Sequence, residues 1–119
     1  MATTEDLLEA YAEWRARSNE NPRLIKMAKG WDRVIHFVTT DTEQGYTMRV
    51  EAQQLAELEV GHLGQPDVIV TGSSEDFCDM FWGDLNPSEK YMSGEIKLQG
   101  SQQDVMRIDA ISMVAFLDT

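Results

Sequence analysis

Few residues of this chain are equipped for chemistry. His36 and His62 are its histidines and Cys78 its single cysteine. A histidine can serve as general base near neutral pH, and a thiolate as nucleophile, when the two lie within hydrogen-bond reach of each other. His36 stands between Ile35 and Phe37 in a β-branched, aromatic run, so it reads as a partly buried sheet residue rather than a base. His62 lies between Gly61 and Gly64 and reads as a solvated loop residue. Cys78, beside Phe77 and near Phe81, reads as a small buried hydrophobe. Structural zinc needs more His and Cys ligands at suitable spacing than this chain has. The chain has no Gly-x-Ser-x-Gly elbow and no phosphate loop, and Gly72-Ser73-Ser74 is a helix cap in sequence terms. The expectation is a protein without catalytic residues, metal or cofactor.

Bulk properties narrow the classes further. A chain of 119 residues suits one domain, residues 1–119, large enough to fold without disulfides or metal. Its 42% hydrophobic content is that of a globular protein. Ten basic residues face 21 acidic ones, a net charge of −11. Nucleic-acid binding needs a basic stripe, which is missing, and anionic membrane surfaces repel such a chain. The single cysteine permits no internal disulfide. The first residues have neither the basic start nor the apolar core of a signal peptide, and the last three are not a peroxisomal tripeptide. Cytoplasmic localisation is expected.

The elements that must position any site follow from periodicity. Leu7, Leu8, Tyr11 and Trp14 form one face of a helix over 4–18, with Thr3 or Thr4 as cap and Glu5 and Asp6 at its positive end. Pro22 opens a short second helix that Gly30 ends. Strands are predicted over 31–40, over 46–51 with one wet face, over 55–60, and over 67–71, where Val68-Ile69-Val70 suits a strand covered on both sides. Ser73 or Ser74 caps a helix running to Gly83. Asn86 caps another with Pro87 in its first turn, stopped by Gly94. Ile96 and Leu98 alternate with Lys97 and Gln99 in a last strand, and Ser101 opens a last helix. Helices and strands are mixed without regular alternation, an α+β pattern.

The last helix is apolar nearly all round. From Ala110 to Leu117 only Ser112 is polar, and such a helix must be covered on every side. The segment 77–92 offers Phe77, Met80, Phe81, Trp82, Leu85, Tyr91 and Met92 as a second layer, and the chain has seven Met residues, whose flexibility suits variable guests. Read alone, these residues equally fill an ordinary core.

The motifs from 66 to 117 carry a resemblance. Asp67-Val68-Ile69-Val70-Thr71-Gly72-Ser73, then Glu75-Asp76-Phe77, Gly83-Asp84-Leu85-Asn86-Pro87 and Gly94-Glu95-Ile96 with Gly100 resemble the sterol carrier protein-2 family. The first half of the chain agrees in element order. The resemblance implies a five-stranded mixed sheet with helices on one side, enclosing a hydrophobic tunnel for a sterol, fatty acid, fatty acyl thioester or phospholipid. It also implies accessory roles in quinone and steroid metabolism. Carried onto matching elements, Phe77, Phe81, Trp82, Met92, Met106, Ile111, Val114 and Leu117 are the expected tunnel lining, and Gly83, Asn86, Pro87, Gly94 and Gly100 the caps and turns. The chain departs from lipid-transferring members in its acidic first helix. An anionic headgroup would need Lys90, Lys97 or Arg107 gathered at the tunnel mouth. The alternative is an interaction or scaffold protein with a closed tunnel, homodimeric through the last helix or bound to a partner enzyme, with Trp14, Trp31 and Trp82 as anchors.

Overall fold

The computed structural model describes residues 1–118. Its elements run α1 (Thr4–Asn19), α2 (Pro22–Met27), β1 (Arg33–Thr39), β2 (Gly45–Glu51), β3 (Gln54–Leu55), β4 (Glu59–Val60), β5 (Val68–Gly72), α3 (Ser74–Trp82), α4 (Pro87–Ser93), β6 (Lys97–Gly100) and α5 (Gln102–Leu117). Local chemistry sets the boundaries. Thr3 closes a capping box with Asp6, and Ser73, Asn86 and Ser101 each accept a backbone N–H in the first turn of their helix.

The sheet follows the path β3-β2-β1-β5-β6, with β4 also pairing β2. β1 is antiparallel to β2 and parallel to β5, and β6 returns antiparallel to β5 with Val70 opposite Leu98. The fold is thus a mixed α+β sheet of six strands, two of them only two residues long. The strand predicted over 55–60 is split into β3 and β4. Three steps along β2 from Val50 to Thr47 are matched by four from Leu55 to Glu59, so the returning strand carries a bulge between them.

Strand alternation sends Ile35, Phe37, Met48, Val50, Val68 and Val70 to one face, where they join Leu7, Tyr11 and Trp14 of α1, Phe77 and Phe81 of α3 and Ile108 and Ile111 of α5 in one buried cluster. The opposite face is less wet than its alternation predicts. The loop after β4 folds across it, the Thr47 hydroxyl donates to Gly61 O (2.7 Å), and Thr47 is fully buried. Among the described residues, no helix is long and apolar enough to cross a membrane.

Candidate ligand site

Between the inner sheet face and the helices lies an apolar cavity of about 20 Å³, room for about one water molecule. Sites for drug-sized ligands span about 300–1,000 Å³, so among the described residues side chains largely fill this part of the interior. The walls come from Ile35, Phe37, Met48 and Val70 of the sheet, Trp31 just before β1, and Trp14, Met80, Tyr91, Ile108 and Ile111 of the helices. Ser112 adds a hydroxyl that meets the one on Tyr91. Its hydroxyl donates to Ile108 O (2.8 Å), which leaves it to accept from the Tyr91 hydroxyl (2.9 Å). Burial pushes the Tyr91 phenol up to about 12 despite the Ser112 hydrogen bond, so it stays a neutral donor.

A second hollow lies outside. The groove between β6 and α5 encloses about 490 Å³ and is open to solvent. Ile96, Leu98, Val105 and Met106 give it apolar walls, with Lys97 and Asp109 at its rim. Tyr91 borders both hollows.

The expected lining residues scatter over these surroundings. Ile111 lines the buried cavity. Phe77 and Phe81 are buried, but they pack edge-on against Phe37 and, for Phe81, against Tyr11. Val114 packs at the margin of the core. Met106 is 62% exposed in the outer groove. Trp82, Met92 and Leu117 are exposed, at 37%, 88% and 65%. Their positions follow from helix phase, since each stands on the side of its helix turned away from the sheet. Sequence reasoning missed Trp14, Trp31, Ile35, Phe37, Met48 and Ile108. The signal was present in the period-2 alternation of β1 and β2 and in the apolar face of α1.

Trp14 and Trp31 are core residues rather than surface anchors, only 4% and 5% exposed. Trp31 is locked in place: its Nε1–H donates to Asp104 Oδ1 (2.9 Å), which also accepts from Arg33 Nε (3.0 Å). The Arg33 and Arg107 guanidinium groups lie against the Trp31 ring. Burial alone would raise the Asp104 carboxyl, but the Trp31 and Arg33 hydrogen bonds outweigh it and hold the group below its ordinary range.

The groups that first suggested chemistry are held in structural roles. The His36 and His62 rings stack 4.7 Å apart at an interplanar angle of 4°. His36 Nε2 donates to Leu63 O and His62 Nε2 to Phe37 O, both at 3.0 Å. A carbonyl can only accept, so each ring carries its proton on Nε2. His62 is exposed, as a loop residue should be, yet it is pinned to the sheet. Burial and the nearby Asp6 and Asp79 carboxylates push the Cys78 thiol up, away from the reactive thiolate. Among the described residues, no group of three or more His, Cys, Asp or Glu side chains is placed to hold a metal ion. Of the cations expected at a tunnel mouth, Lys97 borders the groove, whereas Lys90 pairs with Asp76 and Glu95 and Arg107 with the Met27 carbonyl.

The fold is a mixed sheet with helices over one face and an apolar core between them. The chain belongs to the SCP-2 sterol transfer family, whose model matches residues 12–112. Among solved structures it is similar to one titled "UbiJ-SCP2 Ubiquinone synthesis protein", with a TM-score of 0.70 and 14% identity over 92% of this chain and 94% of the other. It is also similar to palmitated SCP2L2 from Aedes aegypti, with a TM-score of 0.65 and 18% identity over 93% and 95% of the two chains. Among curated proteins, hydroxysteroid dehydrogenase-like protein 2 from Bos taurus is 34% identical over 47 residues, 40% of this chain. The match spans 11% of that relative's length.

Proposed function

We propose that residues 1–119 act as one lipid-binding domain that holds an elongated apolar molecule between sheet and helices and performs no reaction on it. The observation that carries this reading is the apolar cavity between the two layers, lined by aromatic and aliphatic side chains with the paired Tyr91 and Ser112 hydroxyls, in a member of a sterol transfer family. The cavity must widen to admit a chain. Burying about twelve methylenes gives on the order of 10 kcal/mol at roughly 0.8 kcal/mol each. Association, ordering and widening take back several kcal/mol, which leaves roughly micromolar affinity, suited to a carrier that must also release. The palmitated relative supports a single acyl chain as cargo, and the ubiquinone-synthesis neighbour supports an isoprenoid or a partner enzyme. A cytoplasmic setting would keep Cys78 reduced.

The test combines extraction and titration. Organic extraction of the purified protein with mass spectrometry, against a mock purification, should yield a stoichiometric lipid. Replacing Ile111 with Trp should fill the cavity and weaken binding of cis-parinaric acid, a fluorescent fatty acid, by tenfold or more while the circular dichroism stays native. Unchanged affinity in Ile111→Trp would remove the interior site.

A second reading is favoured by one surface. Met106, Ala110, Met113 and Leu117 recur at i, i+4, i+7 and i+11 along α5, and all but the half-buried Met113 are exposed. This stripe supports a scaffold or homodimer that keeps its interior closed.

A further inference from the structure

The buried cavity and the outer groove have one lining side chain in common. Tyr91 borders both, and the element that carries it is weakly rooted. Of the seven residues of α4, only Pro87 is fully buried. The Tyr91 ring packs against the core, and polar ties do the rest. Ser88 Oγ donates to Asp109 Oδ1 (2.9 Å), the Tyr91 hydroxyl to Ser112 Oγ (2.9 Å), and Lys90 Nζ lies 3.4 Å from Asp76 Oδ1. Such ties exchange with water at little net cost, whereas an apolar face does not. Glycines in the left-handed region flank the helix, Gly83 at φ 85° and Gly94 at φ 80°, where the chain can turn without the penalty a Cβ would bring.

We propose that the groove between β6 and α5 is the entrance for the apolar tail of an acyl lipid and that Tyr91, carried on α4, is its gate. The inference rests on the lipid-binding reading above. With Tyr91 closed, the Ser112 hydrogen bond seals the cavity. When α4 swings on Gly83 and Gly94, the phenol leaves, Ser112 is exposed, and the groove and cavity become one channel, polar at its outer end and apolar inside. Ile96, Leu98, Val105 and Met106 give the groove an apolar strip for a narrow unbranched chain, beside the polar Lys97, Gln99 and Asp109. Lys97 is the cation at the rim, and it suits a carboxylate left outside.

Stopped-flow uptake of cis-parinaric acid tests the gate. Tyr91→Phe removes the seal's hydrogen bond and keeps the ring, and should speed uptake about two- to tenfold, the share one ordinary hydrogen bond can hold. A second variant holds the gate shut. Ser88→Cys with Asp109→Cys, in a Cys78→Ser background and bridged by a short thiol cross-linker, should slow uptake at least tenfold relative to the same protein alkylated on each thiol separately. Equal rates in the bridged and unbridged proteins would overturn the gate while leaving lipid binding intact. Absence of any uptake by the unmodified protein would remove the lipid reading and the gate together.

Discussion

At the scale of single residues, Asp104 shows how one carboxylate positions a wall of the interior. It receives the indole N–H of Trp31 and the guanidinium of Arg33, and Trp31 lines the cavity. Its carboxyl is held below the ordinary range in the folded protein. The ion pair therefore stabilises the fold fully above the unfolded carboxyl pKa, and its contribution is lost as pH falls through the lowered folded value. Asp104→Asn should lower stability at neutral pH by about 1–3 kcal/mol, the range for a hydrogen bond to a charged group, and should flatten the acid limb of the stability curve measured by urea titration. An acid limb identical to wild type would exclude this role. Asp104 was legible in the sequence only as a residue of the first turn of α5. The chain separates it from Trp31 by 73 positions, and no local pattern links the two.

At the scale of elements, close approach decides what a strand tolerates. A Cβ built on Gly45 would sit 2.3 Å from His62 Nε2, so Gly45→Ala must displace the His62 ring from its stack on His36. We expect a loss of about 1–3 kcal/mol, typical of overpacking, read by thermal melting. The loop over the outer sheet face should become more accessible to protease. A native melting temperature with unchanged proteolysis would show that the loop accommodates the methyl elsewhere. Helix boundaries were the most legible part of this fold, because caps act within one turn: Thr3, Ser73, Asn86 and Ser101 are where the sequence pattern places them. The returning strand was less legible. Its bulge answers the geometry of β2, and a one-residue insertion leaves no mark on alternation over so short a stretch.

At the scale of the whole molecule, the net charge of −11 and the apolar stripe on α5 pull in opposite directions. Self-repulsion keeps copies apart in low salt, and the stripe favours their association once the charge is screened. If the stripe is an interface, sedimentation equilibrium should show a dimer that strengthens with salt and disappears in Met113→Glu with Leu117→Lys. A monomeric mass at every salt and protein concentration would exclude it. The stripe also corrects the expectation that α5 is covered all round. The helices α1, α2 and α4 and the strand β6 pack on its inner side, and the stripe on the other side is left to solvent.

The sequence by itself determined the element order, the helix ends, the mixed α+β class and the family, since each rests on interactions within a turn, a pleat or a short motif. It also determined that the interior would be apolar. Tertiary structure alone decided which apolar residues face the cavity and which face water. Two examples are the inward turn of Ile111 against the outward turn of Met106, and the exposure of Met92 beside the half-buried Tyr91. The reason is physical. An apolar side chain near a helix end is drawn from water equally well by any neighbouring surface, so its partner is set by helix phase and crossing geometry, which depend on the whole packed molecule.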